Sequence, residues 1–140
     1  MGKMNWGSIF LGGLLWAVVY NLVNAASWFL FLKKEWTAAL DALGRPFQET
    51  PAFIAFFLFA TLVAGITVLW LYAAIRPRYG PGPKTAAGAG FAFWVIGSLI
   101  PTIAWCWLLG FPTRLLVSDV AAVLVGSVVG TVVGAWPYKE

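Results

Sequence analysis

Four long stretches of the chain contain no Asp, Glu, Lys or Arg. They cover residues 4–32, 51–75, 85–113 and 120–138. A helix needs roughly 20 apolar residues to cross the ~30 Å hydrocarbon core of a bilayer, and helices satisfy their backbone amides internally. The stretches are far longer than the roughly 10-residue alternating strands of a membrane barrel. The pattern predicts an all-α, polytopic membrane protein, a bundle of four transmembrane helices at about residues 5–32, 51–75, 85–110 and 113–136.

The composition supports this class and removes most catalytic chemistry. Hydrophobic residues make up 61% of the chain and charged residues 10%, whereas about a quarter of the residues in a soluble protein are charged. The absence of histidine excludes imidazole base catalysis and histidine-based metal sites. The chain also lacks a Walker loop, a GxSxG motif and an HExxH motif. We therefore expect a single membrane domain over residues 1–140 that is not an enzyme and has no cofactor, no metal and no nucleic acid partner.

Basic residues indicate an orientation. Four crossings place both termini on one side of the membrane, together with the connection between helices two and three. That side holds Lys3, Arg76, Arg78, Lys84 and Lys139, and the other side holds Lys33, Lys34, Arg45 and Arg114. Because Lys and Arg are in excess in cytoplasmic loops close to helix ends, we predict cytoplasmic termini and a location in the cell inner membrane.

The connection IRPRYGPGPK, residues 75–84, combines rigidity with positive charge. Its prolines and glycines predict a sharp stop between helices two and three. Arg76, Arg78 and Lys84 would lie at headgroup level, where anionic lipids attract basic residues. These three residues are candidate headgroup contacts, and a turn that only fixes the topology is the alternative.

The connection between helices one and two has an amphipathic pattern. Trp36, Leu40, Leu43 and Phe47 recur at spacings of four, three and four, which places them on one helix face. A stop signal follows at residues 44–46, Gly-Arg-Pro. We predict a short amphipathic helix in the membrane interface, with a solvated loop as the alternative. Tryptophans near the span ends, including Trp36, are interpreted as interfacial anchors.

The fourth helix carries a stripe of small residues. Ala122, Gly126, Gly130 and Gly134 recur every four residues, which suits close approach of another backbone. Helix three offers a second set at a spacing of seven: Gly90, Gly97 and Ala104. We predict a tight antiparallel hairpin of helices three and four. If the stripe on the fourth helix faces outward instead, it is a surface for oligomerisation or subunit docking.

A few polar residues within the spans are candidates for a polar site. Asn21 and Asn24 are expected to bond a neighbouring helix, or else to face a solute. Asp119 is the one acid inside a span, and ionisable residues there are functional candidates. A structural ion pair with Lys33, Lys34 or Arg45 and a proton- or cation-binding role are both open.

Pro101 interrupts the apolar run of helix three. It cannot donate a hydrogen bond to the carbonyl of Gly97, so we expect a kink there, accommodated by Ser98 and Thr102. A gating hinge or an ion-coordinating break is the functional alternative.

The chain resembles the small four-helix bacterial inner-membrane proteins that are grouped as domains of unknown function. The resemblance is carried by Met4-Asn5-Trp6, the amphipathic first connection, the segment 90–94 and Gly134-Ala135-Trp136. It implies a four-helix membrane fold and no particular activity.

These features lead to one functional prediction and two alternatives. We predict a non-enzymatic membrane protein that acts through helix packing, as a homo-oligomer or as an accessory subunit of a larger membrane complex. Its partners would be the lipid bilayer and membrane-embedded protein. The first alternative is a small transporter or channel with a polar path near Asn21, Asn24 and Asp119, and the weaker one is lipid-headgroup binding or processing at the 76–84 loop.

Overall fold

The described part of the chain forms four long helices, as the charge-free stretches predict. The computed structural model describes residues 4–139, and its helices are α1 (Trp6–Ala42), α2 (Pro51–Tyr79), α3 (Pro83–Leu109) and α4 (Thr113–Ala135). Each helix is long and apolar enough to cross a membrane. The predicted all-α fold of a multi-pass membrane protein is therefore confirmed.

Local sequence signals determine where the helices begin and end. Asn5 and Thr50 cap α1 and α2, each accepting a hydrogen bond of 3.1 Å from a backbone N–H in the first turn. Gly44 and Gly110 follow α1 and α3 in the left-handed region, with φ of 68° and 65°. Residues with a Cβ rarely adopt this conformation, so glycine suits these stops.

The predicted amphipathic helix is present, but it continues α1 without a break. Lys33–Ala42 is α-helical and is joined to Trp6–Ser27 through the π-helical segment Trp28–Leu32. Helical hydrogen bonding is thereby kept across the end of the apolar run. The stop at residues 44–46 is confirmed. Phe47 lies beyond the helix, and its ring packs 5.3 Å from that of Trp28.

The second helix extends further than predicted. It continues to Tyr79 and ends at Gly80, which has a φ of 84°, instead of ending near residue 75. Pro77 lies inside this last turn. Basic side chains interact favourably with the carbonyls at a helix C-terminus, and Arg76 and Arg78 occupy that position here. The sharp stop is therefore present, but it falls at Gly80.

The first helix is central in the bundle. It packs against α2 and α4, and the first half of α3 packs against α4. The Asn5 side chain donates a hydrogen bond of 3.0 Å to the carbonyl of Lys139. Both ends of the described chain thus meet, at what we call the terminal end of the bundle. The opposite end carries the connections 43–50 and 110–112.

The second half of α3 leaves the bundle. A π-helical segment, Val95–Leu99, interrupts the α-helix just before Pro101. Proline removes one backbone donor and its ring clashes with the preceding turn, and a wider π turn accommodates both effects. The following segment, Ile100–Leu109, contains no buried residue. The π segment next to Pro101, where a kink is predicted, thus separates a packed half of α3 from an exposed half.

Candidate functional site

The small-residue stripe of α4 lies against α1. A Cβ atom built on Gly130 would lie 3.1 Å from Cδ1 of Trp16, and one on Gly134 would lie 2.6 Å from the carbonyl oxygen of Gly12. Gly126 faces Tyr20, with a corresponding distance of 3.3 Å to Cδ2. Ala122 is also buried. The prediction that α3 covers this stripe is wrong, because α1 occupies it.

Helix α3 contacts α4 at Gly90 but not at the other two small residues. A Cβ on Gly90 would lie 2.7 Å from Oγ1 of Thr131, whereas Gly97 has only its own helix nearby, at Phe93. Gly97 and Ala104 are both exposed. The π segment Val95–Leu99 begins between these two glycines and includes Gly97. It changes the number of residues per turn, so a spacing of seven no longer returns to the same face.

A buried polar chain joins three helices at the centre of the bundle. Nε1 of Trp16 donates to the carbonyl of Ser127 (3.2 Å) and to Oγ1 of Thr131 (3.1 Å). The Ser127 hydroxyl donates to the carbonyl of Gly90 (3.0 Å). Reasoning from the sequence missed Trp16 as a central residue. The available signal was a mid-span tryptophan together with hydroxyl side chains in the middle of α4.

The two asparagines of α1 serve the helices and do not meet in one site. Nδ2 of Asn21 donates to Oγ1 of Thr61 in α2 (2.9 Å) and to the carbonyl of Ala17 (2.8 Å). Nδ2 of Asn24 donates to the carbonyl of Tyr20 in its own helix (2.9 Å). The amide of Asn21 therefore links α1 to α2, as expected for helix contacts in lipid.

Asp119 is bonded by an indole. Nε1 of Trp36 donates to Oδ1 of Asp119 over 3.2 Å. Within residues 4–139 no Lys or Arg forms an ion pair with Asp119. The predicted pairing with a cation of the first connection is therefore wrong.

The nearby cations have other acidic partners. Lys33 pairs with Glu49 at 3.2 Å, and Arg114 pairs with Glu35 at 3.5 Å. Both pairs lie at the opposite end of the bundle, near the connections 43–50 and 110–112. The carboxyl group of Asp119 is thus left with a neutral donor inside the chain.

A cavity opens beside this carboxyl group. Its volume is about 300 Å³, and it lies between the extension of α1, the diverging half of α3 and the start of α4. Its walls are Trp36, Leu40, Thr102, Trp105, Leu109, Phe111, Leu116 and Asp119. The surface is mainly apolar and aromatic, with one acid and one hydroxyl. Trp36 therefore forms part of a cavity wall, and not only the interfacial anchor that was predicted.

A second cavity lies at the terminal end, beside Arg76. It measures about 480 Å³, and Tyr72, Gly82 and Tyr138 are among its lining residues. The guanidinium of Arg76 lies over the ring of Tyr138, 5.1 Å from the centroid. Arg78 and Lys84 are exposed and do not line this cavity. The structure thus places one of the three candidate headgroup contacts at a cavity and the other two on the surface.

No protein-family model matches the chain, and no curated protein or solved structure matches it either.

Proposed function

We propose that this protein is a non-enzymatic component of the cell inner membrane that acts by helix association, with the second half of α3 as its contact surface. The proposal is carried by the fraction of each span that is buried against the rest of the chain. In the most apolar window of α3, 6% of the residues are buried inside the chain, against 22 to 33% in the other three spans.

The position of the small residues supports this surface. Apolar side chains gain little by leaving lipid, so helices in membranes associate where small residues let backbones approach closely. The stripe on α4 is already occupied by α1. Gly97 and Ala104 are exposed on the half of α3 that leaves the bundle, and a Cβ on Gly97 would meet only Phe93, at 3.6 Å. This half of α3 can therefore receive another helix without a change in the bundle.

A second copy of the chain is the partner we propose. Homo-oligomers with twofold symmetry are the commonest kind, and they need only one self-complementary patch on each subunit. Among the four described spans, α3 has a markedly smaller buried fraction than the others. Short connections leave little surface outside the membrane, so the contact would form between spans. An accessory subunit contact with a different membrane protein is the other outcome that the test below distinguishes.

The test is the mass of the purified protein in a mild detergent, measured by native mass spectrometry or light scattering. Self-association predicts a dimer or larger species in the parent and a monomer in Gly97→Leu and Ala104→Leu. Gly88→Leu is the matched control, because Gly88 is exposed and a Cβ there meets nothing within 4 Å. A monomeric parent that copurifies stoichiometrically with another membrane protein would indicate an accessory subunit. A parent that is monomeric and alone would refute the proposal.

We also propose that both termini are cytoplasmic, because more of the Lys and Arg residues fall on their side of the membrane. Asp119 still supports the transporter alternative. Asn21 does not, because its amide donates a hydrogen bond from α1 to Thr61 of α2. Headgroup binding is supported at Arg76 alone among the three loop cations.

A further inference from the structure

We propose that the cavity beside Asp119 is a binding site for a small lipophilic organic monocation, an amine or quaternary ammonium compound. This inference goes beyond helix association and does not depend on it. It rests on four observations that concern the charge, the walls, the size and the opening of the cavity.

The negative charge of the cavity comes from one carboxyl group. Asp119 lines the cavity and is bonded there by Trp36. The neighbouring basic residues Lys33 and Arg114 are paired with Glu49 and Glu35. None of the described residues that line the cavity is basic. A ligand with a single positive charge would therefore supply the counter-charge that the described part of the chain does not bring to Asp119.

The walls favour an organic cation over a metal ion. Hard metal cations need about six oxygen ligands, and the cavity side chains offer only the Asp119 carboxyl and the Thr102 hydroxyl. Three of the eight lining residues are aromatic, Trp36, Trp105 and Phe111. Aromatic faces attract alkylammonium groups through their quadrupoles, and tryptophan does so most strongly. An ammonium group carried on an apolar body would match both kinds of wall.

The size of the cavity and its access from the membrane also suit such a ligand. About 300 Å³ lies at the lower end of the range for small-molecule pockets. The diverging half of α3 forms one wall, through Thr102, Trp105 and Leu109, and this half contains no buried residue. A cation with an apolar body could enter from the membrane beside α3 and place its charged group next to Asp119.

Benzyltrimethylammonium is a suitable probe, with binding to the full chain in detergent measured by isothermal titration calorimetry. Saturable binding of this cation is expected, with no saturable binding of benzyl alcohol, which is neutral, or benzenesulfonate, which is an anion. Asp119→Asn should weaken binding by at least about tenfold, since it removes the carboxylate that pairs with the charge of the cation. Trp105→Leu should weaken it by about threefold or more.

Asp41→Asn is the control for loss of one negative charge, because Asp41 is exposed on the α1 extension and does not line the cavity. It should bind the cation as the parent does. Absence of saturable binding to the parent, equal affinity in Asp119→Asn, or binding of benzyl alcohol as tightly as the cation would each overturn the proposal. If circular dichroism shows that Asp119→Asn does not fold, the test compares the parent with Trp105→Leu. Equal affinity of these two proteins for the cation would refute the site.

Discussion

Gly130 of α4 lies against the indole ring of Trp16 of α1, where a Cβ would be only 3.1 Å from Cδ1 and 3.2 Å from Nε1. The ring is almost completely buried and donates hydrogen bonds to α4 on both sides of this contact. The contact explains why α1 and α4, the first and last helices in the chain, are neighbours. It also gives the glycine stripe a role within one molecule.

Gly130→Leu is therefore expected to destabilise the monomer. The new side chain would overlap a ring that cannot move without losing its hydrogen bonds, and overpacking of this kind costs about 1–3 kcal/mol. Thermal unfolding in detergent, followed by circular dichroism, should show a lower Tm. Gly88→Leu adds the same volume in open space and should leave the Tm unchanged. A stable Gly130→Leu variant with an altered oligomeric state would contradict an intramolecular role for the stripe.

Trp16→Phe tests the polar chain at the centre of the bundle. The variant keeps an aromatic ring but loses the donor to Ser127 and Thr131 and leaves a small cavity. We expect a loss of about 1–3 kcal/mol in the free energy of unfolding. Denaturation in mixed micelles would measure it. Trp107→Phe is the control, because Trp107 is 89% exposed; similar losses in both variants would argue against a special role for Trp16.

Much of the fold was predictable because a lipid bilayer restricts the secondary structures that can cross it. A chain must form a helix wherever charge is absent over the thickness of a bilayer, so the four spans follow from the positions of the charged residues. The glycines of α4 correctly indicated a close contact. The identity of the partner helix was not predictable, because a stripe of small residues fits many helices. The α1 residues that face it are as different as Gly12, Trp16 and Tyr20.

The errors in the candidate site have a common cause. The sequence shows Gly90 and Gly97 seven residues apart, but it does not show that the π segment Val95–Leu99 begins between them and that Gly97, inside this segment, is exposed. The same divergence of α3 opens the cavity beside Asp119. Trp36 became a partner of Asp119 because α1 continues past its apolar run, and no periodicity signals a contact between residues 83 positions apart.

The hydrogen bond between Asn21 and Thr61 can be measured by a double-mutant cycle. Asn21→Ala and Thr61→Ala remove the two partners of a 2.9 Å contact between α1 and α2. Interhelical hydrogen bonds in membranes contribute about 0.6 kcal/mol on average, and we expect a coupling energy of this size. The cycle of Asn24→Ala with Thr61→Ala is the control, since Asn24 bonds only its own helix. Coupling as large in the control would show that the first value does not report the hydrogen bond.

Trp36→Phe tests whether the extension of α1 is held by Asp119. The variant keeps an aromatic ring beside Phe111 but removes the only described hydrogen bond to the carboxyl group. Loss of one such bond of about 1 kcal/mol should raise the equilibrium constant for local opening by about fivefold. Hydrogen exchange followed by mass spectrometry should show faster exchange in peptides from Lys33–Ala42, and unchanged exchange in peptides from α2. The matched variant Trp105→Phe alters another tryptophan of the same cavity, one with no described hydrogen bond, and should leave Lys33–Ala42 protected. Equal exchange in Trp36→Phe and the parent would mean that packing alone holds the extension, with the indole bond to Asp119 contributing nothing measurable.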